Sequence, residues 1–141
     1  MSMSAEQSFN FLNITGDKRE IKKFLRKASC KTDSRHLVMN NIIPYDGDYE
    51  WWINNWGSCR DVTQGSTFIE KYGDATRIVF STDYSPPKKF VEKVSVMFPD
   101  LLFELYYFIE NEKTNGRIKV KNGKILIDEE KYQRFNRNIV I

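Results

Sequence analysis

Apolar and polar positions run through this chain in two periods, one close to 2 and one close to 3.6. Residues 8–15, Ser-Phe-Asn-Phe-Leu-Asn-Ile-Thr, alternate loosely and are rich in β-formers, which predicts a first strand ended by Gly16. Asp17, with Glu20 three residues on, makes a capping-box-like start in which the aspartate oxygen accepts an orphan amide hydrogen bond. Ile21, Phe24, Leu25 and Ala28 then fall at i, i+3, i+4 and i+7, the apolar stripe of a helix over 18–29. The positions between them are Lys18, Arg19, Lys22, Lys23, Arg26 and Lys27, so the outer face of that helix is wet and positive.

Residues 30–48 read as a polar connection with an apolar patch at Leu37 to Met39 and a turn over Pro44 to Gly47. The segment Tyr49-Glu-Trp-Trp-Ile-Asn-Asn-Trp-Gly57 holds all three tryptophans. A helical turn there puts Tyr49, Trp52 and Trp56 on one inward side, leaves Trp51 wetter, and stops at Gly57 in a left-handed conformation. Residues 58–63 and 67–71 read as parts of an irregular second strand or hairpin interrupted by Gln64-Gly65, and 76–82 as a further strand. Ser85-Pro86-Pro87 opens a second helix, with Ser85 as its expected cap, an inner face of Phe90, Val91, Val94, Met97 and Phe98, and Pro99 as its stop. Leu101 to Ile109 is a long strand apolar on both faces, 110–116 a polar loop, and Asn122-Gly123 a hairpin turn between Arg117 to Lys121 and Lys124 to Ile127. The order predicts an α+β, ferredoxin-like βαββαβ domain: a four-stranded antiparallel sheet with two helices on one face. A C-terminal β-hairpin follows as an extension, so that residues 1–141 form one domain with its core over about 8–110.

Composition narrows the function more than it defines it. Apolar residues at 40% and aromatics at 14% suit a packed core rather than a disordered chain. The longest apolar run, broken by Glu104, is far short of the ~20 residues of a spanning helix, and Met1 to Asn10 lacks a signal-peptide pattern. A cytoplasmic protein without membrane partners is expected. Two cysteines make no disulfide framework and one histidine anchors no metal cluster. Charge is sorted by region: residues 17–35 hold eight basic and three acidic groups, 111–141 eight and four, and 36–110 six and eleven.

Three blocks carry a resemblance: Asn55-Trp56-Gly57-Ser58, Phe80-Ser-Thr-Asp-Tyr-Ser-Pro-Pro87, and Phe98-Pro-Asp-Leu-Leu-Phe-Glu-Leu-Tyr-Tyr107. In this order and spacing, over roughly residues 45–110, they resemble the YubB-type ferredoxin-like domain family of phage and plasmid proteins. Cys59-Arg60 stands where that family usually has Lys-Trp, and Ile109-Glu-Asn lacks its Gly-rich continuation. The resemblance implies a mobile-element origin and brings no catalytic residues.

No nucleophile with a base, carboxylate pair or phosphate-cradling glycine loop is visible, so no enzyme, metal or cofactor is expected. His36 stands in a loop. Cys30 and Cys59 lack activating neighbours apart from Arg60, and Asp46, Asp48 and Glu50 lack the downstream ligands of a calcium loop. The expected binding residues are Trp51 and Asn55 of the tryptophan segment, Arg60, and Lys22 and Arg26 on the basic helix. Aromatic anchors rimmed by charge suit a protein interface. The expected function is therefore that of a non-catalytic accessory protein. It would bind a host protein or ribonucleoprotein complex and inhibit a bacterial defence system such as CRISPR. The alternative is a small-nucleotide or nucleic-acid binding module using Trp51, Trp56, Arg60 and Arg77. Sheet-face reading of RNA is disfavoured at this level, because the strand at 76–82 presents Phe80 but no row of rings.

Overall fold

The computed structural model describes residues 6–132. Strand β1 (Gln7–Thr15) leads through Gly16 into helix α1 (Lys18–Ala28), and Asp17 caps that helix by accepting the Arg19 amide at 3.0 Å. A 3₁₀ turn (Met39–Asn41) and helix α2 (Tyr49–Asn55) precede β2 (Phe68–Tyr72) and β3 (Ala75–Asp83). Helix α3 (Lys88–Met97), β4 (Leu102–Ile109), β5 (Thr114–Lys121) and β6 (Lys124–Tyr132) complete the order.

All the strands pair antiparallel in one sheet, ordered β2-β3-β1-β4-β5-β6. The expectation of a four-stranded sheet with two helices is thereby corrected: among the described residues the sheet has six strands and there are three α-helices. The C-terminal hairpin is no appendage. Strand β5 pairs with β4 along its whole length, from Leu102 opposite Lys121 to Ile109 opposite Thr114. Its buried Thr114, Ile118 and Val120 continue the inner face of the sheet, so apolar burial joins the hairpin to it. The third helix exists because Asp48 caps it, accepting the Trp51 amide at 3.2 Å.

Two further expectations change. Residues 58–63 form a loop with a single bridge, Cys59 to Asp83, in place of a strand. The reason is Asp61, whose carboxylate accepts the amides of Met39, Asn40 and Val62 and holds this segment to the 3₁₀ turn. Ser85 does not cap α3: its hydroxyl donates to the Gly57 carbonyl at 2.7 Å, and the helix starts at Pro87 without a side-chain cap. Gly57 has φ of 89°, the left-handed stop expected of it, and a Cβ there would crowd the Lys88 and Lys89 amides at 3.0 Å.

The helices cover one face of the sheet only. Leu12, Ile14, Ile78, Phe80, Phe103, Leu105, Ile118 and Val120 point into this core and meet Ile21 and Phe24 of α1 and Phe90, Val91 and Val94 of α3. Phe24 packs edge-on to Phe98 and Phe103, with centroids 5.5 and 5.6 Å away. Toward one end the same inner face turns polar, and its buried groups are satisfied in a chain. Ser8 donates to Asn10, Asn10 to Thr82, and the Thr82 hydroxyl to the Ser85 carbonyl, which fixes the entry to α3.

Candidate binding face

Because strand residues alternate, every inner position above implies a neighbour on the opposite face, and no helix among the described residues covers that face. Phe9, Phe11 and Asn13 of β1 alternate with buried Asn10, Leu12 and Ile14. Arg77, Val79 and Ser81 of β3 alternate with Ile78, Phe80 and Thr82. Leu102, Glu104, Tyr106 and Phe108 of β4 do the same. The ladder then aligns these residues in rows. One runs Phe68, Val79, Phe11, Tyr106, Arg117, Glu129 across all six strands. The next runs Ser81, Phe9, Phe108, Asn115, Lys131. Phe9 is 40% exposed and Phe68 56%, large values for phenylalanine on a regular sheet, while Phe11, Tyr106 and Phe108 are half-buried.

Arg77 extends the aromatic surface. Its guanidinium lies 3.6 Å from the Tyr72 ring centroid and 5.4 Å from that of Phe11, and its Nε donates to Asn13 at 2.7 Å. On the far side of the rings, Arg117 donates to Glu129 at 2.9 Å and reaches Glu104 at 3.5 Å. Hydrogen bonding with Tyr106 first, and then with Glu129, raises the already high guanidinium pKa, so Arg117 is a fixed cation. Tyr106, Asn115, Arg117, Glu129 and Lys131 surround a hollow of about 170 Å³ beside the Tyr106 ring.

The residues expected from sequence to bind lie elsewhere. Trp51 and Asn55 sit one turn apart on α2, joined by a bond from the Asn55 amide to the Trp51 carbonyl at 3.0 Å. Trp56 is 2% exposed, inward as expected, and donates its indole N–H to the Ile43 carbonyl at 3.0 Å. It is Trp51 that meets Trp56 edge-on at 5.3 Å, however, while Trp52 stacks on Tyr45 and Tyr49 is 62% exposed rather than inward. Lys22 and Arg26 are exposed on α1, on the opposite side of the sheet from the rings. Arg60 has φ of 67° and pairs with Asp83 at 2.5 Å, at the end of β3. The structure thus brings the expected residues together in pairs but not into one site, and of the five only Arg60 reaches the rim of the open face.

Phe9, Phe11, Phe68, Tyr72, Tyr106 and Phe108 were missed by the sequence reading. Two helices and a core-facing phase set by Ile78 and Phe80 require a second sheet face, and the apolar residues of β1 and β4 in the other phase must stand on it. Among the described residues no group of three His, Cys, Asp or Glu is placed to hold a metal ion. No helix among them is long and apolar enough to cross a membrane. Cys30 has its thiol pKa lowered by a hydrogen bond with the Thr32 side chain and faces no catalytic partner there.

The layered arrangement, with helices on one side and the strand order of its first four strands, is that of a ferredoxin-like domain. The family described as "Ferredoxin-like domain in Api92-like protein" matches residues 62–138, more than half of the chain, and the chain belongs to that family. It is similar in fold to the crystal structure of protein api92 from Yersinia pseudotuberculosis, with a TM-score of 0.51 and 12% identity over 64% of this chain. The match covers 32% of that protein, so the matched part of this chain spans about a third of its length. No curated protein matches the chain.

Proposed function

We propose that this domain is a non-catalytic binding module that docks on a host macromolecule through its uncovered sheet face. One observation supports the reading above all: five phenylalanine and tyrosine rings stand in adjacent rows on a regular sheet face that no helix among the described residues covers. Exposed apolar area of this kind is costly to solubility and marks interaction surfaces. Aromatic rings, which supply large contact area at low entropy cost, and arginines are the groups that anchor interfaces. In a mobile-element setting, as the resemblance to the YubB-type domain implies, the partner would be a host protein or ribonucleoprotein, and inhibition of a defence system is the matching role. Affinity capture with the parent and with a Phe9→Thr, Phe108→Thr variant tests the face, scoring both protein and nucleic acid retained. Material lost with the rings removed supports this reading. Identical capture by a folded variant would contradict it.

A further inference from the structure

Charge on the β5–β6 hairpin is sorted between its two faces. On the face it shares with the rings stand Arg117, Lys119 and Lys121 of β5 and Lys124 and Lys131 of β6, against the single carboxylate of Glu129. Asp128 and Glu130 lie on the helix side, where they bond Lys88 at 2.9 Å and the Tyr107 hydroxyl at 2.7 Å. Among the described residues, Lys119, Lys121, Lys124 and Lys131 form no ion pair, so their charge is free to act outward. Lys131 stands level with the Phe9–Phe108 row, while Lys119 lies one row, and Lys121 and Lys124 two rows, beyond the Phe11–Tyr106 row, about 7 and 14 Å along the strands.

We infer that the open face binds single-stranded nucleic acid, with bases on the rings of β1 and β4 and phosphates along the cations of β5–β6. The inference rests on the binding-face reading above and names its ligand. Three features fit this ligand better than a protein. Rings two residues apart on a strand are separated by ~7 Å, about twice the rise per nucleotide in a stacked strand, so bases must be unstacked to occupy successive rows. A duplex cannot present its bases this way. The rings of two adjacent rows, Phe11 and Tyr106 with Phe9 and Phe108, offer flat π-faces that suit bases of any sequence. Finally, the lysines of the hairpin on this face that form no ion pair among the described residues are of one sign, as suits a phosphate backbone.

The test is fluorescence anisotropy with labelled 12-mers of oligouridine and oligothymidine, and with a duplex of the same length, at several salt concentrations. The expected result is binding of the single strands in preference to the duplex. Phe9→Thr should weaken it by roughly 5- to 100-fold, as loss of a stacking ring does. Lys119→Ser with Lys131→Ser, at one half-buried and one exposed lysine, should make the dependence of log affinity on log salt shallower by about 1.4. Equal melting temperatures of parent and variants confirm folding. The inference is overturned if no single strand binds below about 0.1 mM protein at low salt, if the duplex binds as well, or if the variants bind unchanged. Should the open face capture a protein while the oligonucleotides fail, this inference falls and the binding-face reading stands.

Discussion

Gly116 lies opposite Tyr107 in the β4–β5 ladder, and a Cβ there would overlap the tyrosine hydroxyl and the Glu129 carbonyl. The missing side chain is what lets the buried Tyr107 hydroxyl reach Glu130 at 2.7 Å. Burial and that bond push the phenol pKa well above its usual range, so Tyr107 is a neutral donor at every physiological pH. Gly116→Ala should lower stability by about 1–3 kcal/mol through overpacking, read from urea denaturation. Trp56→Ala removes a buried indole and strands the Ile43 carbonyl, a loss of about 3–5 kcal/mol by the same measurement. Asp33 is held well below the usual carboxylate range by hydrogen bonds from the Arg35 side chain, and that arginine also donates to the Val62 carbonyl at 3.2 Å. A depressed folded-state pKa adds stability that is complete above the unfolded value of about 3.9 and is lost as pH falls through the folded value. Asp33→Asn should therefore flatten the acid limb of the stability profile below about pH 4, with melting temperature against pH as the check.

At the scale of elements, α1 was legible because everything needed to place it is local: a cap, an apolar stripe and a charged remainder. Its Lys22→Glu, Arg26→Glu variant should change stability by no more than about 1 kcal/mol, since both side chains are exposed. Strand β3 was equally plain. The joining of β5 to β4 was not, because the partner of a strand edge is set by a distant burial pattern, here Thr114, Ile118 and Val120 continuing the inner face. The phase of β4 was hidden for a related reason: residues 101–109 are apolar on both sides, so alternation alone cannot say which rings are inside. The Asn122-Gly123 turn was read correctly, with φ of 48° and 76°. Its tie to α3 was not visible, and it rests on one bond from the Gly123 amide to Ser95 at 2.8 Å. Ser95→Ala should raise hydrogen exchange in the β5–β6 turn while leaving β1 and β3 protected.

For the whole molecule, the balance of charge matters less than its placement. The acidic, aromatic segment around α2 and the basic outer face of α1 lie at or beyond the helix layer. The rings lie on the other side of the sheet, beside the cations of β5–β6. The two faces of one sheet thus differ: one packs against the helices, and no helix among the described residues covers the other. The most direct test of that division is amide chemical-shift mapping of isotope-labelled protein titrated with a 12-mer single strand. The account predicts shifts concentrated at Phe9, Phe11, Arg77, Tyr106, Phe108 and Arg117, with α1 and α2 unmoved. Shifts confined to Lys22, Arg26 and the Trp51 to Arg60 segment, with the sheet residues still, would contradict it.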